Sequence, residues 1–327
     1  MIKIKKIIFL ILGICFLTSC SSFKNDKVEP LNDYQNESAK PVSSKIRIKT
    51  TSFASAILLD YMESDNNLSY EVEHCKSFSE VQNGDFDIAV VPAILAPSIY
   101  NSSKQSVQIS AITLLNNLYA VSKTDILTAK DLFGKRIYIQ DLGDNYQQIF
   151  DSKLGIFRKL FGVKIERYKN LEELKDIIKN DDLAIAIVSQ PNLSKVRDDV
   201  YNIYSISDIF SFFSNNNDDK FDDFISEVIL VNKNFIKDNK DAFDKFLADY
   251  KSSEDKIKND YKISTDVINS YDINNQDAID IYKNMDSVYI EGDTMVGMYN
   301  LFLDSLEKAR LDLYQGDRPA DDFYYRK

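Results

Sequence analysis

Two successive series of alternating strand and helix patterns constrain this chain more than any other feature. In the first, residues 45–50 alternate apolar and polar side chains as a strand does, 52–62 read as a helix, 70–75 as a strand and 78–83 as a short helix. Phe86 to Val91 is then a nearly continuous apolar run, the pattern of a strand buried on both faces of a parallel sheet. Pro92 stops it, a helix is expected over 93–100, and strands over 107–113 and 118–122. The second series predicts a short helix at 129–133, a strand at 135–140, a turn at 140–145, a helix at 146–161, a strand at 164–168, a helix at 171–180 and a buried strand at 183–188. One more apolar strand, 227–231, follows an Asn- and Asp-rich loop, and the remainder reads as helical. There Phe243, Phe246, Leu247 and Tyr250 share a face, as do Met295, Met298, Tyr299, Phe302, Leu303, Leu306 and Leu313. Two such series imply two α/β domains with mainly parallel sheets and a helical C-terminal tail packed on one of them.

The N-terminus reads as an export signal. Lys3, Lys5 and Lys6 precede an apolar run from Ile7 to Phe16, too short for a comfortable membrane span. Leu17-Thr18-Ser19-Cys20 then matches a lipobox, which predicts removal of residues 1–19 and a lipid on Cys20. Residues 20–44, rich in Ser, Asn, Lys, Asp and Pro, read as a flexible lipidated tether. The expected location is the outer face of the cell membrane, held there by the acyl chains.

Composition excludes several classes of function. Without its three signal lysines the chain has 37 basic residues against 51 acidic ones, a surface that disfavours nucleic acid. Cys15 leaves with the signal and Cys20 is acylated, so Cys75 has no disulfide partner. His74 is the single histidine, which leaves no Cys/His metal set and reads as a structural residue rather than a catalytic one. Only nine glycines are present and no Gly-rich phosphate loop occurs. No catalytic constellation, metal or cofactor is expected.

Several segments resemble a known family. Asn83-Gly84-Asp85-Phe86-Asp87-Ile88-Ala89-Val90-Val91-Pro92 resembles the G-x-x-D-I-A-x-x-P segment of type II periplasmic binding proteins, above all those serving nitrate, sulfonate, taurine and thiamine-precursor ABC importers. Asn117 to Ser122, followed by Ala129-Lys130-Asp131-Leu132-Phe133-Gly134-Lys135-Arg136-Ile137, is similar to that family's crossing between domains. Glu227 to Val231 with Asn234-Phe235 resembles its returning strand, and Asp321 to Tyr325 a C-terminal ending common among Gram-positive members. The resemblance spans 45–327 and implies a first domain of 45–117 plus 232–327, a second of 118–231, and a two-segment hinge between them. It also implies a monomeric receptor that hands a small molecule to the permease of an ABC transporter.

By position, the resemblance carries ligand contacts onto Thr51, Ser52, Phe53, Pro92 and Ala93 in the first domain, and Asn116, Asn117 and Tyr119 at the crossing. In the second domain it carries them onto Asp141, Gly143, Asp144, Asn145, Ser189 and Gln190. These loops hold no Arg or Lys, which favours a neutral or cationic ligand, with Phe53 or Tyr119 stacking on an aromatic one. Two other readings stand beside this one. An enzyme on the same fold, thiaminase-like or pyrimidine-processing, would need Cys75 to be reactive. A surface adhesin or antigen would have lost its ligand.

Overall fold

The computed structural model describes residues 45–65, 70–75, 77–140, 162–205, 224–257, 262–308, 314 and 316–326. All belong to one compact unit, Pro41–Lys327. The signal, Cys20, the tether, the loop residues Asp141, Gly143, Asp144 and Asn145, and the helix expected at 146–161 lie outside the described residues.

Two sheets carry the fold. The first has six strands in the order β11 (Asp286–Ile290), β4 (Val107–Leu115), β10 (Ile225–Asn232), β3 (Ile88–Pro92), β1 (Ile46–Thr50), β2 (Tyr70–His74). The second has five: β7 (Lys164–Tyr168), β6 (Arg136–Gln140), β8 (Ala184–Val188), β5 (Tyr119–Ser122), β9 (Asn202–Ser205). Both sheets are mixed rather than mainly parallel. β1 is parallel to β2 and β3, but β10 runs antiparallel to β3 and β4, and β11 to β4. In the second sheet β6 is parallel to β7 and β8, while β5 is antiparallel to β8 and β9. β5 and β10 are the strands that enter each sheet by a crossing from the other, whereas β11 is added from within the first domain.

Apolar side chains cover both faces of both sheets. One face of the first sheet packs on α1 (Phe53–Asp65) and on α5 (Lys233–Lys256), through Ile57, Leu59, Phe243 and Phe246. The other packs on α2 (Ala96–Ser102) and α8 (Gly292–Lys308), through Ile99, Met295, Tyr299 and Leu303. This double cover is why β3 reads as an unbroken apolar run: Ile88, Ala89, Val90 and Val91 are all fully buried. In the second domain Leu174 and Ile178 of α3 (Leu171–Asn180) cover one face. The short α4 (Asn192–Val196) follows β8, and α6 (Thr265–Ser270) and α7 (Asn275–Lys283) join the first domain's core through Val267 and Ile279.

Local chemistry sets the ends of these elements. Asn170 caps α3 by accepting from the Glu173 N–H at 3.0 Å, and Glu172 and Glu173 complement the helix start. Gly84, in the turn before β3, has φ of 71°, and a Cβ there would stand 2.8 Å from the Ser103 Cβ.

Two expectations are corrected. The tail is not wholly helical, because Asp286–Ile290 forms β11 at the edge of the first sheet. The return to the first domain also comes earlier than 232: all of β10, from Ile225, pairs within the first sheet.

Candidate functional site

The two crossings lie side by side. Asn116 adopts a left-handed backbone (φ 51°), which Asn tolerates better than most residues. Its N–H donates to the Phe224 carbonyl at 2.8 Å, and its side-chain oxygen accepts from the Phe224 N–H at 2.9 Å. Asn117 donates its N–H to Ser226 Oγ at 2.7 Å and accepts from the Gln190 N–H at 3.1 Å. The crossing residues Asn116 and Asn117 thus tie the two segments and the β8 loop together. Tyr119, half-buried, opens β5 opposite Val188 and Ser205.

On the first-domain side, the residues after β1 are largely engaged inside the protein. Thr51 is the exception: its Oγ1 is buried and makes no hydrogen bond. Ser52 Oγ donates to Glu227 Oε2, and Ser55 Oγ donates to the same oxygen at 3.2 Å. Phe53 is 3 % exposed, and its ring meets the Tyr271 ring edge-on at 5.2 Å, so it offers no free face for stacking a ligand. Pro92 is partly exposed, but Ala93 is fully buried and its carbonyl accepts from the Tyr299 hydroxyl at 2.7 Å.

Glu227 is the unusual group here. It is 2 % exposed, and burial pushes its carboxyl up to about 7, against hydrogen bonds from Thr113 and Ser55 that pull it down. The signal for it was present in the sequence, a single carboxylate in the otherwise apolar strand 227–231.

On the second-domain side, β8 ends at Val188, Ser189 and Gln190 follow it, and Gln190–Pro191 is a cis peptide. Gln190 Oε1 accepts from the Ser194 hydroxyl at 2.9 Å at the start of α4. An open cavity of about 1020 Å³ begins there. Leu171, Lys175, Gln190, Lys195 and Arg197 wall it from the second domain, and the α6–α7 segment, including Asp272, Asp277 and Asp280, from the first. Of the described residues expected at a ligand site, Gln190 is the one that lines this cavity. Lys195 spans the two walls: its Nζ donates to the Tyr271 carbonyl at 2.6 Å and stands 4.0 Å from Asp272. The candidate loops themselves hold no Arg or Lys, but Lys175, Lys195 and Arg197, outside those loops, bring positive charge to the cavity wall.

His74 and Cys75 lie at the end of β2. Burial lowers the His74 pKa, and its Nδ1 is buried without a hydrogen bond. Burial, with Glu80 and Glu73 nearby, pushes the Cys75 thiol up to about 12. A thiol so protonated is a poor nucleophile at neutral pH. Maleimide labelling of the folded protein at pH 7 is expected to be at least tenfold slower than after unfolding in urea. Equal rates would restore Cys75 as a reactive group. Among the described residues, Glu73, Cys75 and Glu80 form the one group whose atoms lie close enough to share a metal, within 4.8 Å. The Lys49 ammonium, 3.5 Å from Glu73 and bonded to the Glu80 carbonyl at 2.9 Å, supplies positive charge there.

No family model and no curated protein matches the sequence. Solved structures do match. An ABC transporter protein from Parabacteroides distasonis superposes with a TM-score of 0.61 at 17 % identity, over 86 % of this chain and 99 % of that one. The periplasmic aliphatic sulphonate binding protein of Escherichia coli gives 0.54 at 11 % identity, over 82 % and 94 %. A Candida albicans protein with the generic periplasmic binding protein fold gives 0.52 at 14 %, over 86 % and 93 %. Together with two mixed sheets joined by paired crossings, these likenesses establish that the chain has the periplasmic binding protein fold, as two α/β domains.

Proposed function

We propose that this chain is an extracytoplasmic solute-binding lipoprotein, anchored through Cys20, that captures a small molecule between its domains and delivers it to an ABC permease. The observation that carries this reading is the cavity beside Gln190, whose walls come from both domains. Its volume suits a small molecule. It adjoins the carboxyl end of β8, where open α/β sheets take their ligands. The likeness to an ABC transporter protein and to a sulphonate binding protein supports the same class of role. Thr51, Asn117, Tyr119, Ser189 and Gln190 remain the proposed contacts, joined by Lys195, and Asp141, Gly143, Asp144 and Asn145 complete the second-domain loops. Closure about the two crossings would trap the ligand.

Native mass spectrometry of residues 21–327 tests this, followed by denaturation to release anything bound. A stoichiometric small molecule is expected. A clean apo mass, with no thermal shift from pyrimidines, amines or sulfonates, would overturn it. That outcome would favour a surface protein without a ligand, a reading supported by the way Glu227 and Tyr271 occupy Ser52 and Phe53.

A further inference from the structure

The first domain has a place that suits an anion. α1 begins just beyond the carboxyl end of β1, and helix starts present unpaired N–H groups and positive dipole ends to anions. In this protein that place is filled from within. Glu227 reaches it from β10, where irregularities in the pairing with β4 flank the residue on both sides. Such bulges re-aim side chains. Its Oε2 accepts from Ser52 and from Ser55 at 3.2 Å, and its Oε1 accepts from Thr113 Oγ1 at 2.9 Å. Thr50 Oγ1 lies 2.5 Å from Ser55 Oγ and closes the ring of hydroxyls. Every hydrogen-bond partner described for this carboxyl is a hydroxyl, and none is a cation. A buried carboxyl without an ion partner is costly to keep among Val228, Ile229, Leu230 and Val231.

We propose that Glu227 is a built-in occupant of the anion position at the start of α1 and sets the first domain against oxyanion ligands. Ser52, Ser55 and Thr113 have their hydroxyls committed, and the carboxyl repels a second negative group whenever it is ionised. A sulfonate, phosphate or carboxylate must then be met on the second domain, where Lys195 lines the cavity. This consequence for specificity rests on the solute-binding reading, whereas the occupancy does not.

Formate tests the occupancy directly, because it is the side chain's own head group. Glu227→Ala vacates the position and leaves the hydroxyl ring. Its melting temperature is expected to rise saturably with sodium formate, by about 5 °C at a hundredfold excess over the dissociation constant. Sodium chloride at equal ionic strength should not do this, and the wild-type protein and Glu227→Gln should not respond to formate. Where Glu227→Ala does not fold unaided, its refolding yield in formate against chloride reads the same site. A variant indifferent to formate overturns the proposal even if native mass spectrometry finds a ligand. Formate rescue in a protein that releases no ligand upholds the occupancy and counts against the receptor role. For specificity, methanesulfonate is expected to bind Glu227→Ala at least tenfold more tightly than it binds wild type. Equal binding by both overturns the exclusion of oxyanions.

Discussion

Replacing Glu227 by Gln will make the protein more stable at pH 8 and remove most of the stability that the native protein loses between about pH 4.5 and pH 7. The sign follows from proton linkage. The folded carboxyl holds its proton up to about 7, whereas its ordinary value is 4.5. Between those limits the native state binds more protons than the unfolded state, so stability falls as pH rises. Below pH 4.5 the contribution is fully present, and above about pH 7 it is gone. At 1.36 kcal/mol per unit, the span is about 3 kcal/mol. Gln keeps the shape and can still hydrogen-bond the hydroxyls, but it cannot ionise. His74, whose pKa is lowered by burial, gives a slope of opposite sign near pH 6.5, and it is common to both proteins. Asp181 and Asp322, both held below the usual carboxylate value, act at lower pH. Urea unfolding of the two proteins from pH 5 to pH 8 measures the difference, and parallel stability curves would sink the prediction.

Phe323→Ala will lower stability by about 3–5 kcal/mol, the usual cost of emptying a buried aromatic site. Phe323 is fully buried, with its ring 4.8 Å from that of Tyr100 and 5.9 Å from that of Tyr299. Asp322 accepts from the Tyr100 hydroxyl at 2.5 Å and from Lys233 at 2.7 Å. Tyr324 makes a parallel bridge to Ile109, and the Tyr325 N–H donates to the Ile109 carbonyl at 2.8 Å. The tail therefore seals the face of the first sheet between α2 and α8. Calorimetry should record a fall in melting temperature of about 10 °C. A change of only a degree or two would mean that the tail is an ornament on a core that stands without it.

Much of this fold was legible in the sequence, and the exceptions have physical causes. Phe86 to Val91 announced a doubly covered strand because burial on both faces removes alternation. Strand direction left no such mark: β10 is apolar whichever way it runs, and only the crossing before it makes it antiparallel. β11 and β9 leave only a weak sequence pattern because both lie at sheet edges, and the residues of β9 are all only partly buried. Site residues on strand ends could be placed by position, yet their occupancy could not. Phe53 and Tyr271 are far apart in the chain and meet only through the packing of α6 and α7 against the first sheet. Glu227 was the legible exception, since a lone carboxylate in a buried strand must find partners.

The interleaving of the two sheets also sets an order in time. The second sheet draws all its strands from one stretch, Tyr119 to Ser205, so its pairing partners exist as soon as that stretch has been synthesised. The first sheet starts at Ile46 but needs β10 and β11, and its bridge to Tyr324 comes later still. Domains on one chain ordinarily fold from the N-terminus onward. Here the sheet that begins first is completed last, and a chain cut between Ser205 and Ile225 holds every strand of the second sheet inside an unfinished first one.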